Sequence, residues 1–339
     1  MTNITSFGTT AQGTPVQRIT LTAGDLTVSL LTLGAAVQGV WLKGVRHSLT
    51  IGSEALTDYE GPLHYHGTLV GPVVNRITGS TAVIRGVRHH FAPDPGDRNI
   101  VHSGPFGTYA KVWILADHSA THATLTLDLP AGEGGFPGNR HVRATFRVVA
   151  PATLRMEVVA TTDAVTLINF ANHSYWNLDG SQSWAGHMLQ IAADSYLPAT
   201  GEILPTGQIA PVAGTPFDFR QPKIGTPGNP PLDTNFCLAD ARRGLTDVLV
   251  MTGRSGVRMT LATTEPGVQI YDNRAPAAPG HPAYHGLAIE AQSWPDSPGR
   301  AGFPSIELAA GEVYDAVTEW RFDRVSTGGQ DLAAMTSKG

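Results

Sequence analysis

Thr124-Leu125-Thr126-Leu127-Asp128-Leu129 alternates without a break, so an extended chain here puts three leucines on one face and Thr124, Thr126 and Asp128 on the other. That is the mark of a strand lying half-buried on a core. The same period of two recurs at Val142, Ala144, Phe146 and Val148, at Leu154, Met156, Val158 and Ala160, and at Val257, Met259 and Leu261, with turn residues between the runs. Nearer the start, residues 16–21 and 26–42 are rich in Val, Leu and Thr and flank Gly24-Asp25, a hairpin-like opening. Helical periodicity is nearly absent; residues 53–59 have room for two turns at most.

Composition agrees with this pattern. The 339-residue chain has 38 Gly and 24 Pro, where average usage gives about 24 and 17. Charged residues fall to 15%, against an ordinary ~25%. Many turns and few charged helix faces predict an all-β protein, and strands from residue 16 to residue 322 without a linker-like break predict one large antiparallel β-sandwich domain over residues 1–325. Residues 326–339, small and polar, are expected to form a flexible tail. A net charge of −5 and a pI near 6.2 provide no basic field for nucleic acid. No apolar run approaches the ~20 residues of a membrane span, and residues 1–13 lack the charged and apolar regions of a leader; a soluble cytoplasmic protein is expected. Cys237 is the only cysteine, which rules out an internal disulfide, and its neighbours Phe236 and Leu238 suggest a small buried hydrophobe.

The chemistry concentrates in a few places. Asn169-Phe-Ala-Asn-His-Ser-Tyr-Trp-Asn-Leu-Asp-Gly180 follows a β-like run and holds more hydrogen-bonding groups than a turn requires. Asn, Ser and Asp are ordinary turn formers, so His173 is the residue to explain, an imidazole able to give or take a proton near neutral pH. In Leu287-Ala-Ile-Glu-Ala-Gln-Ser-Trp294 the alternation turns Glu290 and Gln292 to one face, with Trp294 beyond as an aromatic platform: a base, an amide and a ring suited to a sugar. Asn75 and Arg76 place an amide and a guanidinium at a strand end, able to fork onto vicinal hydroxyls. His102 and Asp233 each lie in a Gly- or Pro-bounded loop, where sites are commonly carried. Other features carry no motif. The glycine-rich run from Gly132 to Asn139 lacks the Lys-Ser/Thr ending of a phosphate loop and reads as a wide turn. His64 and His66 would share a strand face, with His89, His90, His281 and His285 as further ligand candidates, yet no metal motif accompanies them and no metal is expected. The Asn-x-Ser/Thr matches at Asn3 and Asn172 have no secretory context.

Taken together, these segments resemble the aldose 1-epimerase (galactose mutarotase) family over nearly the whole chain. Gly71-Pro-Val-Val-Asn-Arg-Ile77 is similar to the family's Gly-Arg-x-x-Asn-Arg-Ile, Val101-His-Ser-Gly104 to Leu-His-Gly-Gly, and the run from Gly132 to Asn139 to Gly-Glu-x-Gly-Tyr-Pro-Gly-Asn. Asn172 to Leu178, Ile203 to Gly207, Thr215 to Asp218, Asp233-Thr-Asn-Phe236 and Glu290 to Pro298 match further family segments in order. The resemblance implies a galactose mutarotase-like supersandwich with a shallow sugar cleft. It also implies Glu290 as catalytic base and His173 as catalytic acid, with Arg76, His102 and Asp233 holding the sugar, and Asn75 and Gln292 beside them. Pro72, Ser103, Thr234 and Ser293-Trp294 depart from the family pattern next to these positions and leave the preferred aldose open between galactose, glucose and others. Trp176, where Phe is usual, is read either as cleft wall or as packing.

The residue types suit the implied reaction. Opening an aldose ring needs one proton taken from the C1 hydroxyl and one given to the ring oxygen, and a carboxylate with an imidazolium supplies both without metal or organic cofactor. On this reading Glu290 starts ionised and His173 protonated, the carboxylate favouring the charged imidazole, and a bell-shaped pH profile is expected that is not flat across the neutral range. Two other classes remain open from the sequence. A non-catalytic sugar-binding module has no use for both His173 and Glu290. A glycoside hydrolase needs two carboxylates ~5–9.5 Å apart, for which Glu290 and Asp233 are the only pair to nominate.

Overall fold

The computed structural model describes residues 3–325; the tail expected at 326–339 lies outside them. The alternating runs become the body of a nine-stranded antiparallel sheet, in the order Ile114–His118, His122–Leu129, Arg140–Val149, Thr153–Thr162, Val313–Arg324, Val257–Thr263, Thr246–Thr252, Met188–Ile191 and Lys223–Ile224. Register follows the pattern, with Ala144 opposite Val158 and Phe146 opposite Met156, so apolar side chains share one face across neighbouring strands. The opening hairpin is present as Pro15–Ala23 and Leu26–Leu31, but a turn at residues 32–35 splits the expected long second arm and starts Ala36–Leu42; with Ile4–Thr9 these make a four-stranded sheet. Among the described residues the only α-helix is the single turn Leu56–Tyr59, and the run from Gly132 to Asn139 is a wide turn with Gly132 in the left-handed region.

A third, six-stranded sheet has the order Tyr175–Trp176, Leu287–Gln292, Gly267–Tyr271, Asp233–Cys237, Ser195–Tyr196, Ala210–Pro211. One of its faces packs on the nine-stranded sheet. Trp176 meets Trp320 and Phe322 at ring-centroid distances of 5.9 and 5.6 Å, and Leu287, Ile289, Val268 and Ile270 join Phe146, Val158, Leu21 and Val28 in one apolar core. Trp176 is therefore packing and no part of a cleft wall. Strict alternation then turns Ala288 and Glu290 toward the opposite face, which the segments around residues 61–77 and 100–104 cover. Cys237 is buried, and burial pushes its thiol up to about 12, so it is not a nucleophile.

Phe146 is wholly buried between sheets while Ile114, on an edge strand, is 68% exposed. Phe146→Ala is expected to cost about 3–5 kcal/mol in denaturant unfolding, and Ile114→Ala less than about 0.5 kcal/mol; equal losses would contradict this assignment of the core.

Candidate active site

Cross-strand register builds the floor of the site. Tyr175 and Tyr271 both lie opposite Ala288, and Asp233 lies opposite Tyr271, so Tyr175, Ala288, Tyr271 and Asp233 form one row across four strands. Two residues further along, Glu290, Gln269 and Asn235 form the next row. The small Ala288 between two tyrosines leaves a hollow. Asp233, expected in a loop, in fact heads a strand, and Gln269 Nε2 donates to its Oδ1 at 2.7 Å.

The asparagines of the stretch from Asn169 to Gly180 are struts. Asn169 Oδ1 accepts Ser293 N–H at 2.9 Å, tying this segment to the end of the Glu290 strand. Asn172 Nδ2 donates to Gly67 O at 2.6 Å, and Asn177 Nδ2 donates to Ser181 O and His285 O. His173 is pinned through its backbone: its N–H donates to Thr68 O at 2.9 Å and its carbonyl accepts Gly67 N–H at 3.0 Å. Gly67 sits at φ +73°, and a Cβ there would lie 2.1 Å from Val37 O, so only glycine allows this approach. Its imidazole is thereby left over for chemistry, with Nε2 3.5 Å from Glu290 Oε1.

The second wall is Asn75, Arg76, Val101 and His102, carried by the segments 72–76 and 100–103. Asn75, His102 and Ser103 all have positive φ, a strained arrangement for His and Ser. Hydrogen bonds hold it: His102 N–H donates to Asn75 O at 2.9 Å, Asn75 N–H donates to His102 Nδ1 at 3.2 Å, and Ser103 Oγ bonds both backbone groups of Val73. Asp296, just past Glu290, anchors Arg76: its N–H donates to Arg76 O, and its carboxylate accepts Thr78 N–H, Thr78 Oγ1 and Arg300 Nε at 2.7–2.8 Å. The Arg76 guanidinium makes no ion pair among the described residues.

Arg76, Asn75, His102, His173, Asp233 and Glu290 thus line one cleft of about 360 Å³. Gln292 does not line it; it is buried, and its amide donates to Ser293 O. Trp294, expected as a platform, packs instead with Leu197, Cys237 and Phe303, its Nε1 donating to Pro266 O. The aromatic walls are Tyr65, Tyr175 and Tyr271. His64 and His66 belong to a turn, not a strand, and His66 faces the cleft. Tyr65, His66 and Asn273 carried no periodic signal; Tyr271 and Gln269 were accessible through the alternation of Gly267–Tyr271. Pro72, Ser103, Thr234 and Ser293 do not line the cleft. In a larger hollow of about 580 Å³ at Thr215, Asp218, Arg220 and Lys223, Asp218 and Arg220 pair at 2.8 Å and Lys223 Nζ donates to Pro216 O.

Burial governs the electrostatics. It pushes His173 down to about 4 and is the first cause of the upward shift of Glu290, to which the Asp233 charge adds. The expectation that the carboxylate would keep His173 charged is thereby corrected: desolvation outweighs their attraction. Neutral His173 with protonated Glu290 nevertheless contains the same single proton as an imidazolium–carboxylate pair. His102 is also held neutral, by burial first and the neighbouring His173 second. One atom each of His102, His173 and Glu290 lie within 4.8 Å of one another, the spread of a metal site. The donor set does not fit one, because His102 Nδ1 already accepts the Asn75 amide, which leaves its proton on Nε2, whereas a metal-bound imidazole donates its other N–H.

The family profile described as aldose 1-epimerase matches residues 17–321. A galactose mutarotase of Mus musculus is 32% identical over 327 residues, covering 91% of this chain and 95% of that protein. An aldose 1-epimerase of Escherichia coli K12 is 29% identical over 341 residues, covering 91% and 96%. Among solved structures, a GalM/aldose epimerase homologue from C. elegans superposes with a TM-score of 0.84 at 27% identity, covering 91% of this chain and 99% of that one. A galactose 1-epimerase from Lactobacillus acidophilus gives 0.83 at 25% identity, covering 96% and 99%.

Glu290 Oε2 has no protein partner, so an amide there loses no hydrogen bond. A carboxyl whose folded pKa lies above the unfolded 4.5 destabilises the fold once the pH exceeds that value. Glu290→Gln is therefore expected to melt higher than the parent at pH 7, with the difference vanishing below about pH 4, where both states hold the proton; a lower melting point at pH 7 would contradict the assignment.

Proposed function

The chain belongs to the aldose 1-epimerase family, and from that premise we propose which of its residues carry the reaction and on which sugar. It is an isomerase that interconverts the α and β anomers of an aldose. The proton on Glu290 first passes to His173 across their 3.5 Å contact; Glu290 then takes the proton of the C1 hydroxyl while His173 gives one to the ring oxygen, the bond between C1 and that oxygen breaks, and the open aldehyde forms. Rotation about C1–C2 turns the other carbonyl face to the hydroxyl, and the ring closes with the two groups in exchanged roles. The observation that carries this reading is the approach of His173 Nε2 to Glu290 Oε1, 3.5 Å, inside a cleft also lined by Arg76, Asn75, His102 and Asp233. Those four are the residues we propose to hold the sugar hydroxyls, Arg76 and His102 Nε2 as donors and Asp233 as acceptor. Gln292, fully buried beside Ser293, lacks that support.

Galactose and glucose are the substrates we propose first, since galactose names relatives that match over most of the chain. Residues 1–325 are read as one domain, supported by a single apolar core that runs from Ile19 to Phe322. A cytoplasmic setting is proposed on a lone cysteine that is buried and unbridged. No helix among the described residues is long and apolar enough to cross a membrane.

Polarimetry on freshly dissolved α-galactose and α-glucose tests the reading. The protein should speed the approach to anomeric equilibrium, and Glu290→Gln and His173→Asn should each lose about 10²-fold or more; wild-type rates in either variant would remove that residue from its role. The pH profile follows from the shared proton. Below about pH 4 His173 takes up a second proton and the base is lost. The alkaline limb lies where the last proton leaves the pair, above the ordinary carboxylate range because Glu290 is shifted up. The rate should therefore rise through about pH 4 with no limb set by an ordinary imidazole, which replaces the expectation of a profile that changes across the neutral range, and a fall or rise centred near 6.5 would contradict the pairing.

A further inference from the structure

We propose that His66 is a further sugar-binding residue of the cleft, hydrogen-bonded to a substrate hydroxyl remote from C1 and the ring oxygen. The inference rests on the mutarotase reading and adds a specificity contact to it. His66 is only 4% exposed and lines the cleft, yet neither Nδ1 nor Nε2 has a partner in the protein. His187, equally buried, shows what a structural histidine does in this fold: its Nδ1 donates to Trp184 O at 2.8 Å and its Nε2 accepts Leu178 N–H at 3.0 Å. Buried polar groups without partners are rare, and one that faces a cleft is satisfied by what enters it.

The ring is also held in place. It stacks on Tyr175 with centroids 4.0 Å apart and planes 17° apart, and the Gly67 turn beside it is fixed by Asn172 and His173. Burial, with the neighbouring His173, keeps the imidazole neutral, so it offers one donor and one acceptor, the same pair a hydroxyl offers in return. Tyr175 separates it from the reacting centre, standing 4.0 Å from His66 and 5.0 Å from His173. A contact made there is equally strong in ground and transition states, so it acts on KM.

The test is His66→Phe, which keeps a ring on Tyr175 and removes both nitrogens, assayed by polarimetry on galactose and its 2-, 3-, 4- and 6-deoxy analogues. All five retain C1 and the ring oxygen. The wild type is expected to lose about 3- to 10-fold in kcat/KM on one analogue. His66→Phe should lose a similar factor on galactose, through KM, with little further loss on that same analogue. Losses that multiply on every analogue, or an unchanged KM for galactose, would overturn the proposal. Should the phenylalanine variant not fold, His66→Ala gives the same readout. A wild type that leaves all five sugars at their spontaneous rates would sink the mutarotase reading itself, an outcome distinct from the failure of His66 alone.

Discussion

Two ionisable side chains kept out of water, His173 and Glu290, stand 3.5 Å apart across one cleft. Burial disfavours the charged form of each. That is a useful state for a reaction needing one proton removed and one delivered in the same turnover. Free imidazole and carboxylate in water would be hydrated and several protonation states would compete; here burial moves His173 down and Glu290 up, because it disfavours the charged forms of both.

Much of the remaining fold exists to bring these two groups together. Glu290 is fixed by strand register, because Leu287 and Ile289 must face the core and alternation sends Glu290 the other way. His173 is fixed by backbone bonds to Thr68 and Gly67 on both sides. The cost is visible in the left-handed backbone at Asn75, His102 and Ser103 and in the partnerless polar atoms of His66, His173, Asn273 and Glu290. Buried polar groups of this kind work against stability. The large apolar core between the three sheets offsets that deficit.

The period-two runs made the nine-stranded sheet legible from the amino-acid order, because each run has one face on a single core. The face of Glu290 was equally readable from alternation. What escaped were contacts set by distant backbone bonds. The turn carrying Tyr65 and His66 has no periodicity of its own, and it reaches the site only because Gly67 docks on Asn172 and Val37. Trp294 follows Glu290 in sequence, yet the chain bends at Ser293, where Asn169 grips it, and carries the indole into a separate cluster with Cys237. Electrostatics was the other blind spot: proximity of a carboxylate suggested a charged His173, and only the depth of both groups reveals that desolvation prevails.

The shared proton can be observed directly through the ring nitrogens of His173 by nitrogen-15 NMR between pH 5 and 8. Resonances that do not titrate across this interval are predicted for the wild-type protein, since burial holds the His173 imidazole down at about 4. A full titration near pH 6.5, as for a free imidazole, would contradict it.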